Sequence, residues 1–243
     1  MTEQLLRVCK KIFSNEMFSL ERKYIQRDPQ GSLCYLWQKF CCGENILCYH
    51  IAMNKDFIAF LKFLIDFQKV ERRIHVPGSE KWENDAEHSY QMALLAWYLI
   101  NTNNYDLDLE KVILLCLAHD LVEAYAGDSF FYDDKARETK KEREAQALKK
   151  IRKEYNSFTQ LHQIIVEYEK GSSKEAKFVR AVDKLIPVLN IYIDGGRSWK
   201  EAGVSLENIL SKKDAPLMAS PELAHIWEDL KKILATNQKS LFG

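Results

Sequence analysis

Residues 112–123 read Val-Ile-Leu-Leu-Cys-Leu-Ala-His-Asp-Leu-Val-Glu. The apolar run from Val112 to Ala118 is far shorter than the roughly 20 residues a bilayer span requires. Wound as a helix it is apolar almost all round, which places it in the middle of a helical bundle. It then runs straight into His119 and Asp120. An ionised carboxylate there costs several kcal/mol unless it is paired or bound to a cation. Glu123 follows one turn after His119 on the same face, Gly127 supplies a stop, and Asp128 comes next. The spacing predicts one helix from about Leu109 to Ala126 that delivers His119, Asp120 and Glu123, with Asp128 just beyond, to one end of a buried element.

Working outward, apolar residues recur three and four apart, and the 243 residues hold only nine Gly and five Pro, so helices dominate and turns are few. The fold class expected is all-α. Helices are predicted over residues 4–26, from Met53 to about Phe67, and over 84–100, 134–155, 158–169, 174–193, 199–211 and 221–236. Pro77 and Gly78 mark the segment from Arg72 to Trp82 as a loop. Asn84 and Glu87 have the spacing of a capping box at a helix start. Four, seven and eleven residues after His88 come Met92, Leu95 and Leu99, so His88 lies on the core-facing stripe of its helix. Asp183 is placed likewise by Val179 and Ile186. Pro187 cannot donate to the carbonyl of Asp183, four residues back, so a kink is expected there.

The chain carries 35 basic and 35 acidic residues, so no global field draws in a nucleic-acid polymer or an anionic membrane. An anionic ligand must be met by local cations. Hydrophobic residues at 47% and charged residues at 29% are those of a soluble globular protein. Glu3, Arg7, Lys10 and Lys11 interrupt the N-terminus too soon for a secretory leader, so a reducing, cytoplasmic setting is expected. Cys34, Cys41, Cys42 and Cys48 lack a paired C-x-x-C spacing and read as free thiols rather than a zinc site.

Taken singly, an inward histidine such as His88 is ordinarily a hydrogen-bonded structural residue, and Asp183 could pair with an arginine. Together, two inward histidines and two inward carboxylates on three helices make a mixed nitrogen and oxygen set. That is the ligand chemistry of Mn, Fe, Co or Zn more than of Mg or Ca.

The runs Glu87-His88-Ser89, Ala118-His119-Asp120-Leu121-Val122-Glu123 with Gly127-Asp128, and Ala181-Val182-Asp183-Lys184 resemble the H…HD…D signature of the HD-domain superfamily. HD-x-x-E-x-x-x-GD, together with residues 175–183, is similar to its 5′-deoxynucleotidase branch. The resemblance spans roughly residues 54–235. It implies an HD-domain helical bundle over 53–243, preceded by an N-terminal helical extension over 1–52. It further implies that His88, His119, Asp120 and Asp183 ligate a divalent metal, with Mn, Co, Fe, Zn and Mg the alternatives. Glu123 and Asp128 would be the acid/base pair or partial ligands of a second ion.

The branch carries an arginine in the loop before the first histidine. Arg72 and Arg73 both match it, and Arg73 is assigned the phosphate oxygens with Arg72 as the alternative. The tryptophan that follows this arginine in the branch is replaced by Ile74. The reaction implied is hydrolysis of a nucleoside or deoxynucleoside 5′-monophosphate by metal-activated water. The alternatives are another HD phosphohydrolase activity, on a triphosphate or cyclic dinucleotide, and a metal- or nucleotide-binding protein without turnover. A small-molecule nucleotide is the partner implied, and a homodimer is a further expectation.

Overall fold

The structure, a computed structural model, describes residues 55–127 and 139–243. These fall in one compact unit, Met53–Gly243. The helix predicted over residues 4–26, the start of the one predicted from 134, the N-terminal cysteines and Asp128 lie outside the described residues.

The described chain is helical apart from one small hairpin, as the scarcity of glycine and proline predicts. Helix α1 is Lys55–Phe67, and Phe63 and Phe67 are buried on its inner side. Strands β1 (Glu71–His75) and β2 (Trp82–Asn84) then pair antiparallel, with Glu71 opposite Asn84 and His75 opposite Trp82. This corrects the loop expected from Arg72 to Trp82. The sequence Glu-Arg-Arg-Ile-His shows no apolar alternation, and the strand is fixed by partners distant in sequence. The His75 N–H donates to Ser198 Oγ at 3.2 Å, and the Asp85 N–H closes onto the Val70 carbonyl at 3.1 Å. Pro77 and Gly78 turn the hairpin, Gly78 at φ 74.

Helix α2 (Asp85–Asn103) begins with the predicted capping box: Asn84 accepts from the Glu87 N–H, and Glu87 accepts from the Asn84 N–H. It runs one turn past the expected end and stops at Asn104, which takes the left-handed conformation at φ 53. Helix α3 (Leu109–Ala118) is capped by Asp108. The single helix expected from Leu109 to Ala126 is broken. Residues 119–122 form a tight turn in which Leu121 N–H bonds Ala118 O and Glu123 N–H bonds Asp120 O, and α4 (Glu123–Ala126) follows. Periodicity cannot register this break, because a tightened turn keeps its apolar residues at nearly helical spacing.

Helices α5 (Lys140–Glu154), α6 (Thr159–Lys170) and α7 (Lys174–Ile193) come next. α7 passes through Pro187 as one helix, so the proline withholds a donor from Asp183 O without ending the element. The helix expected over 199–211 is instead two, α8 (Arg197–Glu201) and α9 (Leu206–Met218). Helices α10 (Pro221–Thr236) and α11 (Gln238–Phe242) complete the chain. Gly196, at the α7–α8 turn, has φ 80, and a Cβ there would stand 2.0 Å from the carbonyl oxygen of Leu241. Only glycine allows α11 to dock at that distance.

Two apolar clusters flank the site. The larger joins Met92 and Ala96 of α2, Val112 and Leu115 of α3, Phe178 and Val182 of α7, and Trp227 of α10. The smaller joins Phe63 and Phe67 of α1 with Leu121, Val122, Ile151 and Ile165. Leu121 and Val122 are thus pulled into the smaller cluster, and the turn that carries them is fixed beside His119, Asp120 and Glu123.

Candidate metal centre

Three elements bring four of the predicted residues together. His88, fully buried on α2, points its Nε2 at Asp183 Oδ1 of α7, 3.2 Å away. His119 closes α3, and its Nδ1 lies 2.9 Å from the carbonyl oxygen of Cys116. A proton on Nδ1 donates to that carbonyl, so Nε2 is turned into the site, where Asp120 Oδ2 stands 3.0 Å off. Each of His88, His119, Asp120 and Asp183 offers one donor atom, and these atoms lie within 4.8 Å of one another.

Asp183 is held on both oxygens. Its Oδ2 accepts from the Tyr168 hydroxyl at 2.9 Å and from Lys184 Nζ at 2.6 Å. Asp120 Oδ2 accepts from Arg72 Nη1 at 3.0 Å, and the same nitrogen reaches Asp85 Oδ1 at 3.1 Å. Glu123, the first residue of α4, is buried and receives Lys140 Nζ on Oε1 at 2.9 Å. Asp85, Asp120 and Glu123 form a second set of neighbouring donors. Burial separates the two arginines: Arg72 is half-buried against the carboxylates, while Arg73 is exposed where it lines the cleft. Asp128 lies outside the described residues.

The electrostatics suit a cation. Burial alone would raise the Asp120 carboxyl, but the His119 imidazole and Arg72 overcome it and hold Asp120 well below the usual range. Asp183 follows the same pattern, drawn down by Lys184, His88 and His119 against its own burial. Burial would lower His119, yet Asp120 and Asp183 raise it, so a proton sits where these carboxylates call for positive charge. His88 is pushed down to about 4 by burial and then by Arg72, and is neutral as a ligand must be. A buried His119 Nε2 with no hydrogen-bond partner, facing ionised carboxylates, fits a divalent metal replacing that proton.

The cluster opens into a cleft of about 410 Å³ whose lining includes Arg72, Arg73, Lys140, Lys141, Arg180 and Lys184. With Lys213, these cations outnumber the five carboxylates of the same lining, which suits a phosphate. Sequence reading did not single out Tyr168, Lys140, Asp85 or Glu83. Asp85 and Glu83 stand within five residues of His88 and carried a signal, as acidic residues beside a buried helix start. Tyr168 and Lys140 carried none, because only tertiary packing brings them in.

A family model described as "HD domain" matches residues 66–224. A mouse protein named 5′-deoxynucleotidase HDDC2 is 33% identical over 135 residues, covering 54% of this chain and 66% of that one. A Xenopus laevis protein of the same name is 30% identical over 141 residues, covering 57% and 69%. The match spans just under two thirds of the mouse and bovine relatives' own length, 66% of each. Among solved structures, one described as a predicted metal-dependent phosphohydrolase from Magnetospirillum magnetotacticum superposes with a TM-score of 0.66 at 25% identity, covering 77% of this chain and 96% of that one. An HD-domain phosphohydrolase from Listeria innocua, with a TM-score of 0.55 at 19% identity over 76% and 92% of the two chains, shares the fold.

Proposed function

The chain belongs to the HD domain family, and we propose that it is a metal-dependent phosphohydrolase releasing phosphate from deoxynucleoside 5′-monophosphates. One observation carries this reading: four nitrogen and oxygen donors within 4.8 Å of one another border a cleft lined by seven lysine and arginine side chains. The names of the curated relatives supply the substrate class.

His88, His119, Asp120 and Asp183 would hold a divalent ion, which when bound supplies Lewis acidity and lowers the pKa of water toward about 7. The donor set suits Mn, Co, Fe or Zn, with Mg an alternative. Arg72 binds the phosphoryl oxygens, exchanging part of its contact with Asp85 and Asp120 for them. Glu123 orients the attacking water and accepts its proton, and Lys140 fixes that carboxylate. Asp128 is assigned the proton for the leaving oxygen on the strength of the HD-x-x-E-x-x-x-GD run. Arg73, exposed at the rim, steers the anion without gripping it.

In this reading residues 53–243 are the catalytic domain and residues 1–52 an added helical extension. No helix among the described residues is long and apolar enough to cross a membrane. A cytoplasmic setting is part of this reading. A homodimer is supported by Tyr90, Leu94 and Trp97, which stand exposed at helical spacing along α2.

The experiment is a phosphate-release screen over ribo- and deoxyribonucleoside monophosphates, triphosphates and a cyclic dinucleotide, with Mn, Co, Zn and Mg in parallel. Release from deoxynucleoside monophosphates with at least one metal, and none in chelator, is the expected result. Turnover confined to triphosphates or cyclic dinucleotides would replace the substrate class, and metal binding without any turnover would replace the enzyme by a binding protein.

A further inference from the structure

We propose that Glu83 is a positioning residue that sets two arms of the site at once, the imidazole of His88 and the guanidinium of Arg72. This rests on the reading of His88 as a metal ligand and of Arg72 as the phosphate arm. Glu83 is the buried middle residue of β2, at 4% exposure, flanked by more exposed neighbours. Its Oε1 accepts from Asn190 Nδ2 at 3.1 Å. Asn190 is itself locked by Gln91 in a reciprocal amide pair, Nδ2 to Oε1 at 2.8 Å and Nε2 to Oδ1 at 3.0 Å. That pair ties α2 to α7 one turn beyond His88, and it leaves the Asn190 amide nitrogen, not its oxygen, facing Glu83.

The other oxygen, Glu83 Oε2, lies 3.4 Å from Arg72 Nε and 3.7 Å from His88 Nδ1. Both Glu83 Oε2 and His88 Nδ1 are buried without a hydrogen bond. Two unsatisfied buried atoms facing each other are costly, and such a pair in a native fold calls for an explanation. The tautomer of His88 provides one. With the ring proton on Nε2, His88 donates to Asp183 Oδ1, and a bare Nδ1 lone pair then faces the Glu83 carboxylate, which holds the two apart. A cation on Nε2 requires the proton on Nδ1. That Nδ1–H then points at Glu83 Oε2, and closing by about half an ångström brings it into hydrogen-bond range. Metal-bound histidines commonly donate their second N–H to a carboxylate, whose loss costs roughly 10- to 100-fold in metal affinity. Here the same oxygen also forms an ion pair with Arg72 Nε, behind the Nη1 that bonds Asp85 and Asp120.

The test uses the full-length chain and four variants, Glu83→Gln, Gln91→Ala, Arg72→Ala and the double variant that joins the first and third. Glu83→Gln keeps an oxygen for Asn190 but removes the charge. Gln91→Ala loosens the clamp from an exposed position that the fold tolerates. Zinc affinity by competition titration is expected to fall at least tenfold in Glu83→Gln and less in Gln91→Ala. Long-range nitrogen–proton spectra of the zinc-loaded wild type should show His88 protonated at Nδ1. Inorganic phosphate should bind at least fivefold more weakly to Glu83→Gln than to wild type. The same change made in Arg72→Ala should add less than twofold, because Glu83 acts through that arginine. Unchanged zinc affinity in a folded Glu83→Gln, or an Nε2-protonated His88 with zinc bound, overturns the proposal. Wild type that binds no zinc overturns this proposal and the metal centre together. Wild type that binds zinc and phosphate but hydrolyses no nucleotide overturns only the proposed reaction.

Discussion

Lys140 Nζ stands 2.9 Å from Glu123 Oε1, joining the first residue of α5 to the first residue of α4. Burial opposes the charge on Lys140, but Glu123 and Glu144 hold its pKa above the ordinary lysine value, so the pair is ionic at neutral pH. Removing the cation leaves a buried carboxylate with a weakened hold. Lys140→Met is expected to lower turnover about tenfold. The loss of stability should be about 1–3 kcal/mol, near the lower end because the lysine side chain is 32% exposed. Lys140→Arg should recover most of the rate. Steady-state kinetics with thermal unfolding of both variants check this, and wild-type turnover in Lys140→Met would detach the lysine from the chemistry.

Asp120 and Glu123 are three residues apart and are expected to fail in different ways. Asp120 lies among the four clustered donors, so Asp120→Asn should lose bound metal and phosphate release together. Glu123→Gln should retain the metal and lose about 10²–10⁴-fold in kcat, the range of a missing general base. Metal content by elemental analysis beside turnover separates the two. A Glu123→Gln protein stripped of metal would make Glu123 a ligand instead.

How much of this was legible in the sequence depends on where the information sits. His119 and Asp120 stood out because an apolar helix cannot end in an ionised carboxylate without a reason, and the starts of α7 and α10 are set locally, by the Ser173 cap and by Pro221 in the first turn. The hairpin escaped notice because the alternation along β1 is of burial and not of hydrophobicity: Arg72 is turned inward by carboxylates from α2 and from the turn after α3. The same fact separates the two arginines. Tyr168 and Lys140 were illegible because each resembles an ordinary amphipathic-helix residue until tertiary packing sets it against Asp183 or Glu123.

The unequal burial of the two arginines makes a prediction that the linear motif cannot. Arg72 Nη1 is shared between Asp85 and Asp120, whereas Arg73 is exposed where it lines the cleft. A charge-assisted hydrogen bond is worth about 1.5–3 kcal/mol, so Arg72→Ala should raise KM about 10- to 100-fold. Arg73→Ala should raise it by less than about threefold, an effect removed by salt as expected of steering. The reverse ranking would move the phosphate arm to Arg73.

Metal affinity should depend on pH through His119. Burial pulls its pKa down, but Asp120 and Asp183 raise it above the ordinary 6.5, so the folded chain favours the imidazolium. The stability this contributes to the chelated protein is complete below 6.5 and is lost as pH rises through the raised value. A metal at Nε2 competes for that site with the same proton, so its affinity should fall about tenfold per pH unit below the raised pKa and level off above it. His88 adds no such competition at neutral pH, because burial and Arg72 hold it down at about 4. His119→Gln should flatten the profile while weakening binding throughout. Competition titrations at successive pH values read the slope directly, and an affinity flat from neutral pH downward would mean that the proton and the metal do not share His119.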